Sequence, residues 1–196
     1  MLGGEALKAE RRALFATAAE WRVWLTEHHE TEREIWLQIA RSGGATPSVS
    51  YDEALDVALT FGWIDGQKAA LDDAHWLQRF TPRGPSSRWS MRNRQRAEEL
   101  IASGRMLPQG QAEVDRAKRD GRWDAAYPGM RSADVPQDFQ AALAASPDAE
   151  AFFAELDSAN RYAILYRLHD AKRPQTRAAR IERFVEMLRR RERLHP

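Results

Sequence analysis

Six arginines fall between Ala74 and Ala97, and no Asp or Glu interrupts them. Three of them, Arg79, Arg83 and Arg88, stand beside Ser87, Trp89 and Asn93. A guanidinium is a rigid fork of donors that meets carboxylate or phosphate oxygens in pairs. Pro82 and Pro85 on either side of Gly84 stiffen the turn, which lowers the ordering cost of binding. A helix opening near Ser87 to Ser90 presents free backbone N–H groups and the positive end of its dipole. This combination could hold a small anion. A structural reading stands beside it: the same arginines could pair with the acidic N-terminal part and brace a hairpin against a helix.

Asp65 lies in an apolar run between Ile64 and Gly66. A buried carboxylate needs a partner. It could act as a general base or orient an arginine; alternatively it makes a salt bridge to Arg79 or Arg83 inside the fold. Trp63, Trp76 and Trp89 could form a stacking platform for bases or sugars, although tryptophans in strands usually pack in a core.

Several chemistries are excluded by what is missing. The chain has no cysteine, so it has no thiolate nucleophile or thiolate metal site. None of the five histidines shows metal-ligand spacing, and no metal is expected. There is no glycine-rich phosphate loop and no nucleophile elbow. No cofactor is expected, and no catalytic residue can be named from the motifs.

Charge is distributed in blocks. Residues 1–73 carry 7 basic and 13 acidic groups, residues 98–166 carry 7 and 12, and residues 167–196 carry 10 and 4. The net charge of +1 hides this pattern. Two basic segments motivate a nucleic-acid reading, but the large acidic blocks and the pI of about 8.1 oppose a dedicated nucleic-acid-binding domain. In the last segment Lys172, Arg173, Arg177, Arg180 and Arg183 interleave with Glu182 and Glu186 as on a solvated amphipathic helix.

The elements that must carry these residues follow from periodicity and caps. Thr17 to Glu20 reads as a capping box opening a helix over 18–28. Alternation over 34–40 predicts a strand, and 41–47 a loop. Ser50 to Glu53 is a second capping box, opening a helix that ends near Phe61 at Gly62. Residues 63–70 and 75–80 read as a hairpin. Ser87 or Ser90 should cap a helix running to about Ser103, and residues 108–120 form another. A connector over 127–136 leads to helices near 137–145, 147 onward, 158–170 and 175–193. The fold class expected is α+β, a small antiparallel sheet with packed helices followed by an all-helical C-terminal half. Residues 1–16 read as an arm, 17–128 as the α+β domain and 137–196 as the helical region.

The stretches Phe61-Gly-Trp-Ile-Asp-Gly-Gln67, Gln78-Arg-Phe-Thr-Pro-Arg83, Ser87, Trp89-Ser90 and Asn93 resemble the core signature of the YdeI/OmpD-associated, or bacteriocin-protection, family. Gly104-Arg-Met106, Gly110, Ala117-Lys118, Asp120-Gly-Arg-Trp-Asp124 and Ala126-Tyr127 continue the likeness. Ala171-Lys-Arg173, Thr176-Arg177 and Arg180-Ile181 resemble its C-terminal motif, which marks Lys172, Thr176, Arg177 and Arg180. Gly84, Ser86 and Met91 stand where basic residues are common. The resemblance implies a link to tolerance of bacteriocins or cationic antimicrobial peptides. It transfers no catalytic residue.

The N-terminal 21 residues mix acids and bases without an apolar run, and no stretch approaches a membrane span. The expectation is a cytoplasmic, non-enzymatic stress or tolerance factor. It would bind a small anion or a protein partner through Trp63, Asp65, Arg79, Arg83, Ser87, Trp89 and Asn93. Nucleic-acid binding, or an enzyme using Asp65 with the arginines, are the alternatives. Thr176 and Arg177 are read as docking back on the first domain.

Overall fold

A computed structural model describes residues 11–41, 47–129 and 133–196. Most of the N-terminal arm, residues 42–46 of the expected loop and residues 130–132 of the connector lie outside the described residues. The elements in chain order are β1 (Arg12–Ala13), α1 (Ala18–His28), β2 (Ile35–Ala40), α2 (Tyr51–Thr60), β3 (Trp63–Ala70) and β4 (His75–Pro82). Then follow α3 (Met91–Ala102), α4 (Pro108–Arg119), α5 (Gln137–Ala144), α6 (Pro147–Glu155), α7 (Ser158–Asp170) and α8 (Pro174–Arg189). The fold is α+β.

The chain forms two compact units. The first takes the described residues up to Trp89 together with Asn93–Ala126; the second takes Ser90–Arg92 and the chain from Tyr127 onward. The sheet lies in the first unit, in the order β1-β2-β4-β3. β4 pairs antiparallel with both β2 and β3. The two-residue β1 adds a parallel pairing at one edge, an element too short for periodicity to reveal.

The local signals set the helix starts. The Thr17 hydroxyl accepts the Glu20 N–H of α1 at 3.2 Å. At α2 the Ser50 hydroxyl accepts from Glu53 N, while the Glu53 carboxylate accepts the Ser50 N–H at 3.0 Å. α1 buries Trp21 and Leu25 against the sheet face that carries Ile35, Leu37, Ile39 and Phe80. The Trp21 indole N–H donates to Ala54 O at 3.1 Å. That bond lets an apolar ring with one polar atom be fully buried.

Two glycines fix the approach of α4 to this layer. Gly62 has a φ of 72°, and a Cβ there would lie 2.9 Å from Glu113 Cγ. A Cβ on Gly110 would lie 2.5 Å from Leu59 O. Both positions need the absent side chain, one for conformation and both for space.

The Ser87 hydroxyl does not cap α3. It accepts the Gly84 N–H at 2.9 Å, while Ser87 N donates to Gly84 O at 3.0 Å. Ser87 therefore closes a turn, and α3 starts later, at Met91. The last helix ends at Arg189 rather than near 193, and Arg191 takes a φ of 54°.

The second unit has its own core of Phe139, Leu143, Phe152, Phe153, Ile164, Leu168, Phe184 and Leu188. Pro147 stands at the first position of α6, where its missing N–H costs nothing.

Candidate anion site

The end of the hairpin, the turn after it and α4 build the site. Arg83 leaves β4 with its backbone N–H bonded to Gly62 O at 2.9 Å. Its guanidinium carbon lies 3.5 Å from the centroid of the Trp89 ring, and Nη1 donates to Arg88 O at 3.2 Å. Only 5% of Arg83 is exposed. A desolvated cation over an indole face contributes about 2 kcal/mol. Trp89 is in turn held edge-on by Trp123, ring centroids 4.8 Å apart. Arg83 is thus a staple of the turn, with its charge under cover.

Two further arginines grip the same turn. Arg116 on α4 donates to Gly84 O at 3.2 Å, to Arg83 O at 3.4 Å, and to the Glu113 carboxylate one turn away. Arg122, after α4, donates to Ser87 O at 2.7 Å and forks onto Asp120 at 2.6 and 2.9 Å. Burial pushes the Glu113 carboxyl up, against the pull of Arg116, Arg83 and Arg122. Asp120 is held low, first by its hydrogen bond from Arg122. Arg116 is thus paired with Glu113 and Arg122 with Asp120, while both also hold carbonyls of the turn.

The remaining sequence candidates divide among other places. Arg79 alternates away from Phe80 and pairs with Glu34, so it leaves the turn. Arg96 reaches Asp52 at 2.7 Å and Asp56 on α2. Of the arginines read as bracing, Arg79 does pair with the acidic N-terminal part, tying β4 to the start of β2, while Arg96 ties α3 to α2. Asp65 does not form the salt bridge expected with Arg79 or Arg83. It accepts from the Tyr51 hydroxyl at 2.8 Å and from the Asn93 amide at 3.3 Å. Trp63 is 1% exposed, its indole N–H donating to His29 O at 3.3 Å. Trp89 is likewise buried, and Trp76 lies beside Tyr51 with Lys68 4.6 Å above its ring. The three tryptophans therefore form no shared platform; the pleat and the core claim Trp63 and Trp89.

In the C-terminal motif, Lys172 and Thr176 are exposed. The Arg177 fork meets Asp138 at 2.5 and 2.8 Å, and Nη1 donates to Leu168 O at 2.7 Å. Arg180 bonds Arg167 O and lies 3.6 Å from Asp170. These are ties among α5, α7 and α8, within one unit.

Sequence reasoning did not single out Glu113, Arg116 or Arg122 as site residues. Arg122 stood inside a quoted motif, but Glu113 and Arg116 look like any i,i+3 helix pair. Among the described residues no group of three or more His, Asp or Glu could hold a metal ion. Among them, no helix is long and apolar enough to cross a membrane.

A family model described as a domain of unknown function (DUF8412) matches residues 13–113. Another, described as bacteriocin-protection, YdeI or OmpD-associated, matches residues 132–191. The signature from Phe61 to Asn93 falls in the first match and the motif from Ala171 to Ile181 in the second. No curated protein and no solved structure matches the chain. With the first match covering more than half of its length, the chain belongs to the DUF8412 family and carries a YdeI/OmpD-associated domain behind it.

Proposed function

We propose that this is a non-enzymatic cytoplasmic protein of stress or antimicrobial-peptide tolerance that binds a small anion at the turn 83–89. The observation that supports this reading is the grip of Arg116 and Arg122 on the turn carbonyls of Gly84 and Ser87, beside the buried guanidinium of Arg83. Arg116 and Arg122 are half-buried, so each keeps one side toward solvent. Arg83, Arg116 and Arg122 stand beside two carboxylates, Glu113 and Asp120, so an arriving phosphate or carboxylate would meet a group with one net positive charge, in a wall already shaped by hydrogen bonds to the turn. Arg83 would act from behind, holding Trp89 and the turn in place.

A thermal-shift titration with inorganic phosphate and small carboxylates tests the reading. At an anion concentration of about a hundred times its dissociation constant, stability rises by about 2.7 kcal/mol. Arg116→Ala and Arg122→Ala should each blunt that response while remaining folded. A response that survives both substitutions moves the site elsewhere, and a flat titration removes it.

Internal pairing disfavours nucleic-acid binding. Arg79, Arg94 and Arg96 of the basic block each have a carboxylate partner, which leaves fewer cations to displace counterions. Chemistry at Asp65 has one favourable observation, its seat between the Tyr51 hydroxyl and the Asn93 amide. Asp65→Asn would lose activity without loss of fold if that were its role.

A further inference from the structure

Within the second unit, α7 faces the segments 128–129 and 133–136 across a cleft of about 270 Å³. Neither family description assigns it, and it shares no residue with the turn 83–89. Tyr162, Tyr166 and His169 come into it from one face of α7, spaced four and three residues apart. Pro128, Pro136 and Leu165 give it flat apolar sides.

The walls are fixed in place. The Tyr162 hydroxyl donates to Pro128 O at 3.2 Å, which sets that ring. Tyr166 is held edge-on against Tyr127 at 5.1 Å and lies 5.8 Å from Tyr162. Arg177 completes the cleft while its fork is locked onto Asp138 and its third donor onto Leu168 O. Such a cleft needs little ordering on binding.

Shape and chemistry restrict the occupant. At about 30 Å³ per water, the volume equals roughly nine waters, which is room for a two-ring molecule. Tyrosine and proline faces favour a flat ring over a branched chain. The charge of Arg177 is matched by Asp138, so the cleft does not select a phosphate. His169 and Asp134 are among its lining residues, and an imidazole nitrogen or a carboxylate oxygen suits a ring N–H donor.

We infer that this cleft binds a small planar heteroaromatic molecule of bicyclic size that carries a ring N–H, in the class of nucleobases and indoles. The ligand stacks against Tyr166 between the two prolines and points its N–H toward Asp134 or His169.

The test uses the full chain with adenine, indole and benzimidazole, and with cyclohexanol as a saturated control. Calorimetry should show at least one planar probe binding, with cyclohexanol at least about tenfold weaker. In proton NMR that probe should shift the ring signals of Tyr162 and Tyr166. Tyr166→Leu, which keeps bulk but removes the aromatic face, and Ala133→Leu, which fills one wall, should each weaken binding about tenfold or more. Arg116→Ala, at the other unit's turn, should leave it unchanged. The inference is overturned if no planar probe binds up to about 5 mM, if cyclohexanol binds equally, if the shifts map to other rings, or if folded variants keep parental affinity. The NMR map needs no substitution, so it decides the matter even if both cleft variants fail to fold.

Discussion

Arg83 does two jobs through different atoms. Its backbone ties the end of β4 to Gly62, and its guanidinium lies flat on Trp89. Lysine can supply the charge and a donor, but not a planar group that stacks on the indole while donating to Arg88 O. Arg83→Lys should therefore lower stability by about 1–3 kcal/mol, and Arg83→Ala by more, since Trp89 then loses the group covering its face. Urea denaturation followed by tryptophan fluorescence measures both. If Arg83→Lys were neutral, the stack would carry no weight. Glu113 gives a prediction in pH. Its folded pKa is raised, first by burial, so its contribution to stability is present below the unfolded value and is lost as pH rises through the folded one. Stability of the parent should thus fall over the mildly acidic range above a normal glutamate pKa of about 4.3. Glu113→Gln should flatten that slope. Asp138 has the opposite sign. The hydrogen bond from Arg177 holds its carboxyl low, so its contribution is present at neutral pH and is lost as pH falls through the depressed value. Asp138→Asn should cost stability at neutral pH and little in strong acid. Urea midpoints across pH separate the two residues.

Among the elements, α4 is the one that brings Arg116 to the turn, and two glycines let it approach. Gly110→Ala would drive a methyl to 2.5 Å from Leu59 O and 2.6 Å from Thr60 O. Both are backbone atoms, so α4 itself must shift, taking Glu113 and Arg116 with it. We expect a loss of about 1–3 kcal/mol for this overpacking together with a blunted anion response. An unchanged response would separate α4 from binding. How far the elements could be read ahead of the structure depends on the range of the interactions that make them. Ser50 with Glu53, Thr17 with Glu20 and Pro147 at a helix start are signals within one turn, and each marks a helix where the structure has one. The hairpin was legible as 63–70 with 75–80 from the break between its arms, and its second arm runs two residues further, to Pro82. Of the two serines offered as the cap of α3, Ser87 closes the turn and the helix begins directly after Ser90; a serine near a helix start and a serine closing a turn look alike in sequence. The site was less legible. Arg116 reaches Gly84 across 32 residues, and Arg177 reaches Asp138 across 39. Such partners are chosen by packing, and no local spacing encodes them. Asp65 shows the same limit: its need for a partner was legible, but Tyr51 and Asn93 became its partners because α2 packs on β3 and the first turn of α3 comes within hydrogen-bond reach of it.

At the scale of the whole molecule, the aromatic residues are unevenly divided, and this permits a direct test of the two cores. All seven tryptophans, from Trp21 to Trp123, belong to the first unit, whereas the second core rests on Phe139, Phe152, Phe153 and Phe184. Tryptophan emission therefore reports the sheet and its helices, while far-ultraviolet circular dichroism also sees α5 to α8. Phe139 is fully buried and meets Phe153 edge-on at 5.4 Å. Removing it leaves a cavity in a unit of roughly seventy residues, whose small core has little stability in reserve. Phe139→Ala should cost about 3–5 kcal/mol and separate the two signals: part of the helical signal should melt early, with the tryptophan midpoint held. If both signals shift together, the units unfold as one cooperative body. If they separate, the cleft on α7 should lose its ligand in this variant while the turn at 83–89 keeps its anion response. That pairing of outcomes ties each binding reading to the core beneath it.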